Sequence, residues 1–244
     1  MVGRAAQSSL KHASVTRPTV LLFDIDGTLV TTGGVGRRAV ERAFKREYGR
    51  PDACSLIRFD GMTDRSITRL GLEAIGVAPS DASIDALLAT YLGELEAELV
   101  LSTPETYGVH PGVAETLRAA SERGLALGLG TGNVEAGARL KLGHVGLWEH
   151  FAFGGFGSDH ELRLELIRIG AERGSQRLGC SRESCRVVVI GDTPKDVDAA
   201  RGIGAECIGV GTGSFTAAQL LEQGATHAFD DLTAPGALAA LLGA

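Results

Sequence analysis

The chain has 244 residues, 44% of them hydrophobic, and its 24 Lys and Arg set against 30 Asp and Glu leave a formal net charge of -6. That is enough apolar material for one large domain or two unequal ones, and the lack of a dense basic run excludes a nucleic-acid footprint. No apolar run approaches the roughly 18 residues of a membrane span, so neither nucleic acid nor membrane is an expected partner.

Residues 1–17 carry Arg4, Lys11 and Arg17, no acidic group and no apolar run long enough for a signal peptide. They are too short and too mildly amphipathic for a transit peptide and are expected to be a disordered N-terminal extension. Cys54, Cys180, Cys185 and Cys207 show no Cys-x-x-Cys spacing. They read as reduced thiols of a cytoplasmic protein, neither a disulfide framework nor a zinc site.

From Val20 to Phe23 the chain is unbrokenly apolar, as a buried strand would be, and Asp24, Asp26, Gly27 and Thr28 begin where that strand should end. Carboxylates two residues apart repel, and a partly buried pair holds a proton unless a cation neutralises it. Magnesium suits such oxygen ligands, since it keeps several waters and leaves room for a phosphate oxygen. Taken alone, Asp-x-Asp-Gly is equally a turn closing a strand.

Past Thr31, Gly33, Gly34 and Gly36 make a flexible exit, and Val40, Ala43, Phe44 and Tyr48 recur at helical spacing as far as Gly49. Two further helical stretches follow, one through Ile67, Leu70, Gly71, Ala74 and Ile75, the other from Ser83 to Leu99. No buried strand reads between Thr31 and Thr103. Residues 33–103 are therefore expected to be an all-helical insertion between the core segments 18–32 and 104–244. Arg37, Arg38, Arg42 and Lys45 read as its solvated face.

Downstream, helices and strands alternate. A helix from Val113 to Arg123 precedes a strand from Leu125 to Leu129, then Gly130-Thr131-Gly132-Asn133 and a helix to Gly143. A short apolar run from Phe151 to Phe153 leads to a helix from Glu161 to Arg173. The strand from Arg186 to Ile190 runs into Gly191-Asp192-Thr193-Pro194-Lys195-Asp196 and a helix to Gly202. A strand from Glu206 to Val210, a helix from Thr216 to Gly224, an apolar stretch near Ala228 and a helix to Leu242 complete the pattern. It predicts an α/β fold with a parallel sheet covered on both faces. In such a sheet the strand ends share one edge, so Asp24 and Asp26, then Thr131, Gly132 and Asn133, then Asp192 and Asp196 converge. Each group alone is an ordinary turn or cap; together they offer metal ligands, a hydroxyl and amides for an oxyanion.

Asp24-Ile25-Asp26-Gly27-Thr28, Thr131 after an apolar strand, a basic residue before the strand from Arg186, and Gly191-Asp192 followed by Asp196 together resemble the four motifs of the haloacid dehalogenase-like hydrolase superfamily. The helical insertion falls where phosphoglycolate phosphatases and β-phosphoglucomutases carry their cap. The resemblance implies a Rossmann-like parallel sheet core with an all-helical cap inserted after the first strand. It further implies a Mg2+-dependent phosphatase, a monomer or homodimer, that hydrolyses a small phosphorylated metabolite resembling phosphoglycolate through an aspartyl-phosphate intermediate. Phosphoryl transfer like that of β-phosphoglucomutase, or a regulatory protein without turnover, are the alternatives it leaves.

Carried over residue by residue, the resemblance makes Asp24 the nucleophile and Asp26 the general acid and base, with the Asp26 backbone carbonyl on the metal. Asp24 and Asp192 would give the metal carboxylates, and Asp196 would hold a metal-bound water. Thr131 and the amides of Gly132 and Asn133 would bind the transferring phosphoryl group. The family's usual third-motif lysine is missing: the lone lysine between Thr131 and Asp192 is Lys141, in mid-helix. Arg163 is expected in its place, ahead of Lys195, which reads as a solvated helix residue, and His160 is a near-site candidate. The stretch Asp60-Gly61-Met62-Thr63-Asp64-Arg65 resembles a cap loop that faces the site. Thr63, Asp64 and Arg65 are accordingly expected to contact substrate, with Thr63 or Asp64 also able to cap the next helix.

Overall fold

The computed structural model describes residues 17–243, so the expected N-terminal extension lies outside it apart from Arg17. Strand β1 (Thr19–Phe23) is followed by a two-residue β2 (Val30–Thr31) and by helices α1 (Val35–Tyr48), α2 (Asp64–Ala74) and α3 (Asp81–Val100). Next come β3 (Gly108–Val109), α4 (Val113–Glu122), β4 (Ala126–Thr131), α5 (Glu135–His144), β5 (Gly154–Phe156) and α6 (Arg163–Arg177). The chain closes with β6 (Arg186–Gly191), α7 (Pro194–Gly202), β7 (Glu206–Val210), α8 (Ala217–Gln223), β8 (His227–Phe229) and α9 (Ala237–Leu242).

Six parallel strands form one sheet in the order β5-β4-β1-β6-β7-β8. Every residue of β1 is buried, and strand alternation divides them between two layers. Leu21 and Phe23 pack toward α4, α5 and the helical insertion, while Val20 and Leu22 pack toward α6, α7 and α8. The same division sends Val188 and Ile190 of β6 one way and Val187 and Val189 the other. This is why both strands read as unbroken apolar runs without polar alternation. Each such side chain taken out of water contributes about 1.5–3 kcal/mol.

From β1 the chain winds outward to β4 and β5, then crosses back to β6 on the other side of β1. Strand order reverses there, and the crevice beyond the carboxyl ends of β4, β1 and β6 is where such sheets bind ligands.

The insertion is a helical cap, as expected, but it does not leave β1 directly. It is entered and left through β2 and β3, an antiparallel pair that joins Val30 to Val109 and Thr31 to Gly108. Two residues per strand are too few for a readable alternation. Within the cap, α1 packs on α3, and buried Glu98 of α3 pairs with Arg38 (2.6 Å) and Arg42 (2.7 Å) of α1. Those two arginines are half exposed yet clamp the helix pair, which corrects the reading of a merely solvated face. Arg37 also departs from it: its guanidinium stacks 3.9 Å from the Phe59 ring centre and donates to the Ile57 carbonyl at 2.9 Å.

Cys180 and Cys185, in the short link between α6 and β6, are paired, contrary to the expectation of four free thiols. Cys54 and Cys207 are free and buried. Among the described residues, no helix is long and apolar enough to cross a membrane.

Candidate active site

Asp24 extends β1 by one step, its N–H donating to the Ile190 carbonyl at 2.9 Å, which fixes its carboxylate at the strand's end. The chain then turns on Gly27, whose φ of 81° belongs to the left-handed region, and a side chain there would collide with Asp192 at 2.4 Å. Asp24, Asp192 and Asp196 are all buried and each offers a carboxylate oxygen within 4.8 Å of the others. Thr28 donates to Asp192 at 3.0 Å. Thr193 donates to Asp196 from its hydroxyl at 2.7 Å and its amide at 3.1 Å, so Asp196 is held in place by the start of α7.

Arg163, the first residue of α6, is buried between these carboxylates. Its Nη2 lies 2.5 Å from Asp24 and 2.5 Å from Asp196, and its Nε donates to Asp196 at 2.8 Å. Nη2 is at ion-pair distance of both acids without lining up a hydrogen bond to either. Nη1 reaches the Gly61 carbonyl in the cap at 3.3 Å. Burial pushes the Asp24 carboxyl up to about 6, with Asp196 and Asp26 adding to the rise and Arg163 opposing it. Asp192 is pushed well above the ordinary carboxylate range by burial, then by Asp196 and Asp24. Burial opposes the charge of Arg163 as well, but Asp196 and Asp24 outweigh it and hold the guanidinium firmly protonated. A single arginine therefore leaves the cluster short of positive charge, and its all-oxygen donor set fits a hard divalent cation.

Asp26 has a different cation beside it, its side chain 38% exposed at a cavity of about 450 Å³ that Asp24, Asn133, Lys141, Arg163 and Asp192 also line. Lys141 donates to both Asp26 oxygens, at 2.7 and 2.8 Å, and to the Asn133 side-chain carbonyl at 2.7 Å. Asn133 in turn donates to Asp26 at 2.7 Å and to the Thr131 hydroxyl at 2.9 Å. Burial works against the charge of Asp26, but Lys141 and Asn133 outweigh it and hold its carboxyl below the usual range. Two neighbouring carboxyls are thus driven in opposite directions, Asp24 up and Asp26 down, and a divalent cation beside Asp24 would pull it back toward the charged form that a nucleophile needs.

The structure brings Asp24, Asp26, Gly132, Asn133, Arg163 and Asp192 to one cavity, with Thr131 and Asp196 buried directly behind it. Sequence reasoning passed over Lys141. The signal was its spacing: on α5 the buried residues are Gly137, Ala138, Lys141 and Leu142, so the lysine lies on the inward stripe of the helix that opens at the site. Lys195 is exposed. His160 is also exposed and accepts the Leu162 N–H at 3.0 Å, which makes it a turn residue before α6.

The cap loop corrects two expectations. Arg65 does not face the cavity; it forks to Asp81 at 2.9 Å and Asp85 at 2.5 Å, tying α2 to α3. Thr63 is buried, caps α2 through Ser66 and donates to the Glu161 carbonyl at 3.0 Å, so it latches cap to core and touches no open space. Asp64 does line the cavity. Its carboxylate, pushed up to about 6 by burial, accepts the Val134 N–H at 2.8 Å, and its own N–H donates to the Gly132 carbonyl at 2.9 Å. The loop sits so close that a Cβ on Gly132 would meet the Met62 carbonyl oxygen at 2.1 Å. Gly132→Ala is therefore expected to push the cap off the β4–α5 loop, at about 1–3 kcal/mol of strain. Limited proteolysis of the 60–64 loop should accelerate in this variant, and digestion at the wild-type rate would show that the contact does not hold the cap.

A parallel sheet with a buried carboxylate cluster at its switch point and a helical cap over it places an acid-lined site where open α/β sheets bind ligands. The sequence matches the haloacid dehalogenase-like hydrolase family over residues 18–204, and the chain belongs to that family. It is 26% identical over 226 residues to the phosphoglycolate phosphatase of Pseudomonas putida, covering 90% of this chain and 79% of that one. Protein CbbY of Rhodobacter capsulatus is 31% identical over 121 residues, 48% of this chain and 51% of that protein. The fold matches the crystal structure of CbbY from Rhodobacter sphaeroides in complex with phosphate with a TM-score of 0.70 at 20% identity, over 92% of this chain and 99% of that one.

Proposed function

We propose that the chain is a Mg2+-dependent phosphatase that hydrolyses a small phosphorylated metabolite through an aspartyl-phosphate on Asp24, with a phosphoglycolate-like compound as the nearest substrate class. The observation that carries this reading is the pair of carboxylates at the end of β1, each with its own cation. Asp24 is flanked by Arg163 at 2.5 Å, and Asp26 opens into the cavity under Lys141 at 2.7 Å. Phosphoryl transfer needs positioning and charge neutralisation above all, and this arrangement supplies both.

Asp24 attacks phosphorus while Arg163 offsets the repulsion between the carboxylate and the phosphoryl oxygens. Asp26, a carboxylate in the free site, takes up a proton from solvent as the phosphate dianion enters, gives it to the departing alkoxide and later takes one from the water that opens the aspartyl-phosphate. The Gly132 amide, at the turn from β4 into α5, donates to a phosphoryl oxygen, and the Asn133 amide, which donates to the Thr131 hydroxyl at 3.3 Å in the free site, can turn to another. The cap, residues 33–103, closes the cavity over the leaving group and keeps bulk water out. A divalent cation held by Asp24, Asp192 and the Asp26 carbonyl supplies further charge neutralisation when bound, with Asp196 behind it. The relatives support the substrate class, phosphoglycolate phosphatases by name and a CbbY structure in complex with xylulose 1,5-bisphosphate.

Phosphate release from a panel of phosphorylated metabolites and from 4-nitrophenyl phosphate, with and without Mg2+, tests the proposal. No Mg2+-dependent release from any of them would sink it. The metal has a separate test. Asp192→Asn removes one of three crowded carboxylates, so the metal-free variant is expected to melt above wild type, by roughly 2–4 °C for about 1 kcal/mol relieved. Mg2+ should raise the wild-type melting temperature and leave that of the variant nearly unchanged; an equal rise in both would remove Asp192 from the metal site.

A further inference from the structure

We infer that Lys141 is a positioning residue that, together with Asn133, holds the Asp26 carboxylate in its working orientation, an inference that rests on the phosphatase reading of the site. An ammonium has three protons, and all three of Lys141's have acceptors: the two Asp26 oxygens at 2.7 and 2.8 Å and the Asn133 carbonyl at 2.7 Å. None is left for a substrate. Asn133 closes the arrangement, donating to one Asp26 oxygen at 2.7 Å and to Thr131 at 2.9 Å. Rotation of the Asp26 carboxylate plane would break contacts at both oxygens, while its exposed edge still opens on the cavity.

The setting of the lysine points the same way. Its side chain is 5% exposed, on a helix stripe otherwise made of Gly137, Ala138 and Leu142. Tyr107 donates to the Lys141 backbone carbonyl at 3.0 Å, which fixes that turn of α5. Gly36 at the start of α1 closes over the ammonium, a Cβ there lying at ordinary contact distance, 3.4 Å, from Nζ. A buried ammonium loses its hydration, and here the loss is offset by the Asp26 carboxylate and the Asn133 carbonyl, both of which would be left without this donor if the lysine alone were removed.

The test is a double-mutant cycle on 4-nitrophenyl phosphate, whose good leaving group keeps Asp26→Asn measurable. Lys141→Met is expected to fold with a lowered melting temperature, to lower kcat at least about 30-fold, a part of the roughly 10²–10⁴-fold that general acid–base catalysis supplies, and to leave KM within about 3-fold. In the Asp26→Asn background the same change should alter kcat by less than about 3-fold, because its effect runs through Asp26. An equal loss in both backgrounds, or a loss confined to KM, overturns the inference. If Lys141→Met does not fold, Lys141→Gln, which keeps a donor in the same space, carries the same cycle. A wild-type enzyme inert toward every phosphate ester would refute the phosphatase reading alone. The crystal structure of Lys141→Met then decides the inference: Asp26 displaced from Asn133 supports it, and Asp26 unmoved overturns it.

Discussion

Asp24→Asn is expected to abolish turnover, by at least about 10⁴-fold in kcat, while leaving the protein folded and no less stable. An amide of the same shape cannot attack phosphorus, so neither hydrolysis nor an acid-stable phosphoenzyme should be detectable. Stability should move the other way. Asp24, Asp192 and Asp196 crowd within 4.8 Å, and Arg163 is the one arginine among them. Removing one negative charge from that cluster relieves repulsion, and Arg163 keeps its partner Asp196 at 2.8 Å. Lost activity with an unchanged or raised melting temperature is the signature of a strained functional group. Residual kcat within ten-fold of wild type would mean that Asp24 is not the nucleophile, and a lowered melting temperature would mean that it is held for structure.

The sheet was legible because its two central strands are buried on both faces, which leaves apolar runs such as Val20 to Phe23 that need no pattern analysis. The loops were legible where polar residues cluster at strand ends. What could not be read was any contact made across sequence distance by a residue with an ordinary local excuse. Lys141 looks like a surface lysine of a ten-residue helix until α5 is turned inward against Asp26, 115 residues earlier in the chain. Arg65 looks like a site arginine because it neighbours Asp64, but one step along a helix rotates a side chain by about 100°, enough to send it to Asp81 and Asp85. The pairing of Cys180 with Cys185 depends on how tightly α6 returns to β6, a matter of loop geometry that residue spacing does not encode. Arg163 was within reach for the opposite reason. It opens the helix that follows β5, and a helix start beside the switch point is aimed at the site by the topology itself.

Arg163→Ala should be the most damaging change to a basic residue of the site. The guanidinium satisfies two buried carboxylates and a cap carbonyl at once, Asp24 and Asp196 at 2.5 Å and Gly61 at 3.3 Å, a task for a planar fork. Without it, the attacking carboxylate and the phosphoryl oxygens face each other uncompensated, and kcat should fall about 10²–10³-fold, the scale of deleting one oxyanion donor. The metal-free protein should also lose about 3–5 kcal/mol, as when one partner of a buried ion pair is removed, and Mg2+ should restore part of that by taking over some of the missing charge. Arg163→Lys should recover part of the activity, because a point charge can neutralise Asp24 or Asp196 but cannot bridge both and still reach Gly61. Lys195→Ala, at an exposed position, should change kcat by less than about two-fold. Steady-state kinetics of the three variants, with melting curves in and out of Mg2+, separate the outcomes. Near-normal turnover in Arg163→Ala together with inactivation by Lys195→Ala would move the catalytic cation from the start of α6 to the loop after β6.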